Sequence, residues 1–344
     1  MSKDKKIPKP PPGIKPDYSR VYNVGTYGPL DEKAVAQVLY AELNPRFSEA
    51  AAAIEQSWSY IQQLQGTKDF LRAYGAFREI TDIYPMTAKN WHSGERIPLV
   101  HAGEIAHDAI TIAFQAHYKH AYQNLREILE LVTLQVHFYT IMDKSIIGQW
   151  GRGEIWTPSL RSMLKQLASH HLYKIANDEL SISREISAIY DELGAYVHTR
   201  GVPTTHMGLS GSNIATFVIE SLERFFTLFY RVSHLSVILL TVFFPAAIIY
   251  THAFEKFGHL APIWLPRKDH VSAIRAILSD AELQTLENLA NLNMRFHKIL
   301  GKVNALPNLS EDEIHETYDR LESASNQGVE ELTQIFKEIN KIIE

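Results

Sequence analysis

Polar side chains recur at helical spacing in two segments that are otherwise apolar. In the first, NLREILELVTLQVHFYTIMDK, Arg126, Glu130 and His137 fall on one stripe at about 100° per residue. A stripe of this kind on a buried helix needs partners, because an unpaired buried charge is strongly destabilising. Arg126 and Glu130 are four residues apart and can pair with each other. The remaining donors need a neighbouring helix, water or a ligand, so this stripe is a candidate ligand-binding site.

A second stripe lies in the segment SISREISAIYDELGAYVHTRG. Arg184, Asp191 and His198 are seven residues apart and share one face of the predicted helix, with Tyr190 nearby. His198 comes at the end of that helix, where the macrodipole favours a positive group and the loop of residues 199–201 follows. Loops beside helix ends often display binding or catalytic residues. We therefore expect Arg184, Tyr190 and Asp191 to bind a ligand and His198 to act on it.

The two stripes lead to one hypothesis and one alternative. In the hypothesis, they face each other across a polar cleft in which Arg126 and Arg200 bind an anion. His198 or His137 is then the group that transfers a proton. In the alternative, both stripes are internal networks of paired side chains that fix the register of the helices. The sequence is compatible with both.

Other kinds of catalytic chemistry have no matching pattern in the sequence. Cysteine is absent, which excludes disulfides, zinc ribbons, iron–sulfur clusters and thiol catalysis. Glu104 and His107 have the Glu-x-x-His spacing of di-iron bundles, but no second copy of that motif occurs. The glycine motifs of phosphate-binding loops, dinucleotide-binding folds and serine hydrolases are absent as well. We therefore predict a protein without a metal or a cofactor.

Helices are the elements expected to position these residues. Helical periodicity continues from Leu30 onward, and few strands are expected. Two capping boxes, Ser279 with Glu282 and Ser310 with Glu313, mark helix starts. The predicted fold class is therefore all-α, a multi-helix bundle with helical N- and C-terminal extensions. The main predicted helices lie at about 46–65, 99–122, 124–144, 158–176, 180–198 and 213–254.

The length of 344 residues is sufficient for two domains, or for one large domain with appendages. Composition and breaker residues divide the chain into four predicted regions. They are a disordered, basic, proline-rich arm (1–29), a small N-terminal helical segment (30–98), a central helical body (99–268) and an acidic C-terminal helical extension (269–344).

Charge restricts the partners to be expected. With 39 acidic and 34 basic residues the net charge is −5, so the chain lacks the overall positive charge typical of nucleic-acid-binding proteins. The first twenty residues are the exception, with six basic and two acidic side chains. Prolines and lysines interrupt every apolar stretch there, so no secretory signal is predicted and a cytoplasmic protein is expected. The arm is expected to be a disordered tail, with a polyproline ligand or a phosphate-binding arm as the alternative.

The most apolar part of the chain is free of charge from Val232 to Phe254. Its length is sufficient to cross a bilayer. Pro245 and two histidines interrupt it and Arg231 precedes it, so we predict a buried core helix that is kinked at the proline. A membrane span is the alternative.

One part of the chain resembles a known class of proteins. The run IYDELGAYVH, which ends at His198 and follows a helix with LREILE, is similar to bacterial all-helical proteins of the HEPN-like kind over roughly residues 100–250. Some of these proteins are linked to phage defence or toxin systems. The resemblance implies RNA cleavage without a metal, by an arginine and a histidine four to six residues apart near a helix end. The pairs with that spacing are Arg96 with His101, and Arg200 with His206.

Two functions follow. The first is a helical interaction or effector protein of a bacterial defence or toxin-like system, whose polar cleft binds an anionic ligand or RNA. The second is a metal-independent RNA endonuclease, in which His198 or His206 is the general acid–base and Arg200 stabilises the developing phosphorane charge. A membrane-attached helical protein is a third, weaker alternative. A homodimer, and a protein partner bound through the acidic C-terminal helices or the proline-rich arm, are further expectations.

Overall fold

A computed structural model gives the fold. It describes residues 32–61, 63, 66–83, 95–141, 143, 145–198, 200–205, 208–209, 216–262 and 264–343. The predicted basic arm, residues 1–29, lies outside the described residues, as does His206.

The described part of the chain is built from helices, which confirms the predicted all-α class. It contains fifteen α-helices and no strand. The first eight are α1 (Glu32–Ile61), α2 (Thr67–Ile83), α3 (Ile97–Phe114), α4 (Tyr118–Thr140), α5 (Ser145–Gly151), α6 (Leu160–Leu167), α7 (His171–Leu180) and α8 (Ile182–Val197). The others are α9 (Ile219–Phe243), α10 (Ala253–Phe257), α11 (Lys268–Arg275), α12 (Asp280–Leu292), α13 (Met294–Ala305), α14 (Glu311–Gln327) and α15 (Val329–Ile343).

Both predicted capping boxes are present. The Ser279 hydroxyl accepts from the backbone N–H of Glu282, and the Glu282 carboxylate accepts from the backbone N–H of Ser279 at 2.8 Å. Ser310 and Glu313 repeat the arrangement, with the carboxylate 2.7 Å from the Ser310 nitrogen. These reciprocal bonds satisfy donors that have no partner within the helix, so α12 and α14 begin where the sequence predicts.

The longest predicted helix of the N-terminal half is interrupted. The prediction of one helix over 99–122 is wrong, because the chain turns between Phe114 and Tyr118 and returns as α4 against α3. The turn contains Ala116 in the left-handed conformation, with φ +60°. A left-handed alanine costs roughly 1–2 kcal/mol, so the packing of α3 along α4 outweighs it. No glycine or proline marks this turn in the sequence.

The apolar helix α9 lies at the centre of the bundle, where it packs against α2, α4 and α8. It ends at Phe243, so the prediction of a helix over 213–254 with a kink at Pro245 is wrong. Proline disfavours helical backbone at the residue before it. Phe244 accordingly has φ −132° and ψ 73°, and a short 3₁₀ helix begins at Pro245. The proline ends the helix rather than bending it.

Within the described residues, α9 is also the one helix that is long and apolar enough to cross a bilayer. Its most apolar window is 78% buried inside the protein, and the core helices of soluble bundles pass the same test of length and composition. Its first half contains charged residues on several sides: Glu220, Glu223, Arg224 and Arg231. The packing agrees with the interpretation of this segment as a core helix.

Hydrophobic packing divides the molecule into two clusters. The main cluster includes residues of α2 to α9 and extends through Ile274 and Leu286 as far as Phe296. The second cluster combines side chains from residues 253–265 with side chains from residues 303–343. Trp264 packs against both clusters. Packing therefore does not follow the predicted boundaries at residues 98 and 268, since both neighbouring regions contribute to the main core.

Candidate functional site

The two helices that carry the predicted polar stripes, α4 and α8, pack side by side in opposite directions. Near the start of α4 the ring of Tyr122 lies 4.4 Å from that of Tyr196, close to the end of α8. One turn further along α4, Arg126 lies against Gly194. Because α8 carries buried apolar residues at three- and four-residue spacing, this packing buries one face of it. The register of the pair decides which polar residues meet.

Three of the predicted residues meet in what we call the Arg126 cluster, which consists of Arg126, Glu130, Tyr190 and Gly194. Arg126 Nε lies 3.3 Å from Glu130 Oε1, and Arg126 Nη2 donates to the Tyr190 hydroxyl. That hydroxyl in turn donates to Glu130 Oε1 at 2.6 Å. The guanidinium carbon lies 4.1 Å from the centroid of the Tyr190 ring, so the cation also rests on the aromatic face.

One donor of the Arg126 cluster has no partner among the described residues. Arg126 Nη1 is buried and has no hydrogen bond within the part of the chain that is described. A Cβ atom added to Gly194 would lie 3.7 Å from it, an ordinary van der Waals contact, so the glycine leaves a space the size of one methyl group beside the donor. An unpaired buried donor typically costs about 1–3 kcal/mol, more when it belongs to a charged group. The cluster is therefore a network of paired polar groups in which one donor nitrogen, Arg126 Nη1, lacks an acceptor within the described ranges.

The charges of the Arg126 cluster largely cancel. The side chain of Arg126 is 17% exposed and that of Glu130 is 35% exposed, so the carboxylate borders the solvent. Burial, together with hydrogen bonding to Glu130, raises the pKa of the Tyr190 hydroxyl, which stays protonated. The buried Nη1 donor therefore lies beside a carboxylate acceptor that reaches the solvent.

The other residues of the second stripe do not join the Arg126 cluster. Arg184, Asp191 and His198 are exposed, and Arg184 pairs with its neighbour Glu185 at 3.1 Å. The reason is rotational, because Tyr190 is offset from Asp191 by about 100° around the helix. When Tyr190 points to α4, the stripe points to solvent. The two predicted stripes therefore do not face each other as a whole.

His137 is also separate from the Arg126 cluster. It is three turns further along α4 than Arg126, roughly 16 Å along the helix axis. Its side chain is buried, and burial lowers the pKa of its imidazole. Its Nδ1 has no hydrogen-bond partner among the described residues. At pH 7 we expect a neutral ring inside the bundle.

The predicted catalytic residues lie beyond the end of α8. His198 is the exposed residue that follows the last turn of that helix, and Arg200 is exposed in the segment after it. Their backbones close the helix, since the Arg200 N–H donates to the Ala195 carbonyl at 3.0 Å. The His198 ring has no hydrogen-bond partner in the described ranges. His206 lies outside them, so the geometry of its pair with Arg200 is not described.

Arg96 and His101 form the other arginine–histidine pair with HEPN-like spacing, and the two side chains contact different groups. Arg96 Nη2 donates to the carbonyls of Thr81 and Asp82 at 2.6 Å and 3.1 Å, which ties the start of α3 to the end of α2. His101 lies instead beside two carboxylates, those of Glu104 at 3.4 Å and Glu127 at 3.8 Å. No group of three or more potential metal ligands occurs among the described residues.

Sequence reasoning missed a second polar cluster, between α8 and α9. Arg224 and Arg231, seven residues apart on α9, both bind the carboxylate of Glu192, at 2.8 Å and 2.9 Å. The i, i+7 spacing of the two arginines is visible in the sequence, but Glu192 is not on either predicted stripe. Nearby, the Tyr122 hydroxyl donates to the Ser221 carbonyl at 2.8 Å. These contacts fix α8 and α4 against α9.

Comparison with known proteins adds no relative to these observations. No protein-family model, no curated protein and no solved structure matches the chain. The HEPN-like resemblance thus stays a prediction.

Proposed function

We propose that the protein is a helical interaction protein that binds a phosphate ester at the Arg126 cluster. The proposal keeps the predicted class of ligand, an anion or RNA, and places it against α4 and α8. A role in a bacterial defence or toxin-like system is part of the same proposal and is supported by the resemblance alone.

The observation that carries the proposal is the unpartnered Nη1 of Arg126 beside Gly194, within the described part of the chain. The other nitrogens of the guanidinium are held by Glu130 and Tyr190, so the fork is already oriented. An acceptor placed against Nη1 would recover a charge-assisted hydrogen bond without reorganising the side chain.

The surroundings of Nη1 favour a ligand with both an acceptor and a donor. The carboxylate of Glu130 weakens the attraction for a bare anion but can accept a hydrogen bond from a hydroxyl. A ribose phosphate has matching groups, since its phosphate oxygens accept and its hydroxyls donate. Ribonucleotides and RNA share this chemistry, whereas inorganic phosphate has only part of it.

Cleavage of RNA, the alternative function, has no comparable support. A general acid–base is usually oriented by a hydrogen-bonded partner, and the His198 ring has none among the described residues. Cleavage would be detected in the binding experiment with RNA.

We predict that Gly194→Ala weakens the binding of a ribonucleoside monophosphate by about 10-fold or more, because the new methyl group occupies the space beside Arg126 Nη1. The same change should leave the free energy of unfolding unchanged or raise it by up to about 1 kcal/mol, since alanine is the better helix residue. Calorimetric titration measures the first quantity, and urea denaturation measures the second.

The matched control is Gly75→Ala in α2, where a Cβ atom meets nothing within 4 Å. It should gain the same helix propensity and bind the nucleotide as wild type does. The titration is repeated with inorganic phosphate, which should bind more weakly, and with RNA in a chelator. Equal binding by wild type and Gly194→Ala, or no binding of any phosphate ester, would overturn the proposal. RNA fragments that disappear in His198→Ala would instead establish cleavage.

A further inference from the structure

The loop between α5 and α6 displays a tryptophan. The side chain of Trp156 is 95% exposed, which makes it the most exposed large apolar residue in the described part of the chain. The loop that carries it, residues 152–159, is outside the Arg126 cluster. An exposed indole offers a large, rigid contact area with little conformational entropy to lose on binding.

Hydrogen bonds and one aromatic contact fix the chain on both sides of Trp156. Trp150 Nε1 donates to the Thr157 hydroxyl at 3.0 Å, and the Trp150 ring packs edge-on against Phe138 in the core at 5.3 Å. Arg152 binds Glu154 through two hydrogen bonds, at 2.6 Å and 3.0 Å. These contacts fix the chain before and after Trp156, so little of the loop has to be ordered when a partner binds.

The sequence around Trp156 is basic, in contrast to the acidic chain as a whole. Between Asp143 and Asp178 the sequence has five Lys or Arg residues and one acidic residue, Glu154. Glu154 is already paired with Arg152. Arg161 and Lys165 are exposed on the same face of α6, four residues apart and directly after the loop. An exposed aromatic ring is therefore followed, five and nine residues later in the chain, by two solvent-facing cations.

We propose that Trp156, Arg161 and Lys165 together form a face that binds single-stranded nucleic acid. A base stacks on the indole, and the phosphates beside it lie against the two cations, as in binding sites that track a single strand without reading its sequence. The face includes none of the residues of the Arg126 cluster.

The exposed residues fit a single strand better than a membrane. Beside Trp156, Ile155 is only partly exposed and the neighbouring Thr157 and Ser159 are polar. Helices that lie in a bilayer interface bury a continuous apolar face, which this loop lacks. One exposed aromatic ring is enough for stacking on one base.

The test is fluorescence anisotropy with a labelled single-stranded oligonucleotide of about 16 nucleotides, as RNA and as DNA. Trp156→Ala should weaken binding by about 5-fold to 100-fold, and Trp156→Phe, which keeps a stacking ring, should recover most of the affinity. Arg161→Glu with Lys165→Glu should weaken binding further. A plot of the logarithm of the association constant against the logarithm of the salt concentration should also become less steep. The slope should fall by about 0.7 for each phosphate that is no longer neutralised.

Two controls remove an equivalent group elsewhere. Met294→Ala deletes an apolar side chain that is 86% exposed, and Lys337→Glu reverses an exposed charge on the acidic α15. Both should bind like wild type, and Trp156→Ala should still bind the ribonucleoside monophosphate. The proposal is overturned if wild type binds no oligonucleotide, if Trp156→Ala binds equally well, or if the face binds only vesicles of anionic lipid.

Discussion

The Glu282 side chain makes two different stabilising contacts in this fold. Its carboxylate caps α12 by accepting from the Ser279 nitrogen, and it also lies 3.2 Å from His234 Nε2 of α9. Burial alone would raise its pKa, but the hydrogen bonds from His234 and Ser279 outweigh burial and lower the pKa to about 2. The ionised carboxylate therefore links a helix start to the central helix.

The lowered pKa of Glu282 predicts a loss of stability in acid. A carboxyl whose pKa is lower in the folded state stabilises that state above its ordinary value of 4.5, and the contribution disappears as pH falls towards about 2. We expect the free energy of unfolding to decrease over this range, and to decrease less in Glu282→Gln. Urea denaturation at a series of pH values measures both.

Glutamine can still form a capping box, so Glu282→Gln should fold. The matched control is Glu313→Gln, because Glu313 caps α14 in the same way but is fully solvated and has no histidine partner among the described residues. It should change the acid dependence much less. Identical pH profiles for wild type and Glu282→Gln would contradict the prediction.

At the residue scale, the sequence predicts pairs on one helix better than contacts between helices. Arg126 and Glu130 are recognisable from their four-residue spacing, and they do pair. The helical spacing places Tyr190 beside the second stripe, but its contact with Arg126 depends on how α8 is rotated against α4. The space at Gly194 depends on the same register, for which the sequence contains no signal.

Helix starts can be tested at the scale of the element. We predict that Ser310→Ala lowers the free energy of unfolding of the segment containing α14 by about 1 kcal/mol, because the first-turn donors lose the hydroxyl acceptor. Hydrogen exchange should show faster exchange in the first turns of α14 and unchanged exchange in α9. Ser323→Ala, an exposed change later in the same helix, should alter stability by less than about 0.5 kcal/mol. Equal effects of the two changes would rule out the capping role.

Where a capping box is present, the sequence predicts the helix start more accurately than it predicts helix ends, for a physical reason. A capping side chain is a local signal, and α12 and α14 begin at theirs. The end of α3 and the break between α6 and α7, which divides the helix predicted over 158–176, contain neither glycine nor proline. These ends are set by where the next helix packs, and such long-range information is not present in a local pattern.

At the scale of the molecule, the two hydrophobic clusters predict that two parts of the protein unfold with different free energies. Ile339 is buried in the second cluster, and Ile339→Ala should cost about 2–5 kcal/mol there. Hydrogen exchange should then accelerate in α14 and α15 and stay slow in α4. Leu125→Ala, in the main cluster, should accelerate exchange throughout the described helices. If Ile339→Ala exposes α4 to the same degree as α15, the clusters unfold as one unit.

The second cluster also has a consequence for the order of assembly. Its two parts, residues 253–265 and 303–343, are separated along the chain by α11 and α12, which pack on the main core. Bringing distant parts together has an entropy cost that grows with the length of the intervening chain. Once the intervening helices have docked on the main core, the length of free chain between the two parts is shorter. The C-terminal helices are therefore expected to pack last, with Trp264 at the junction of the two clusters.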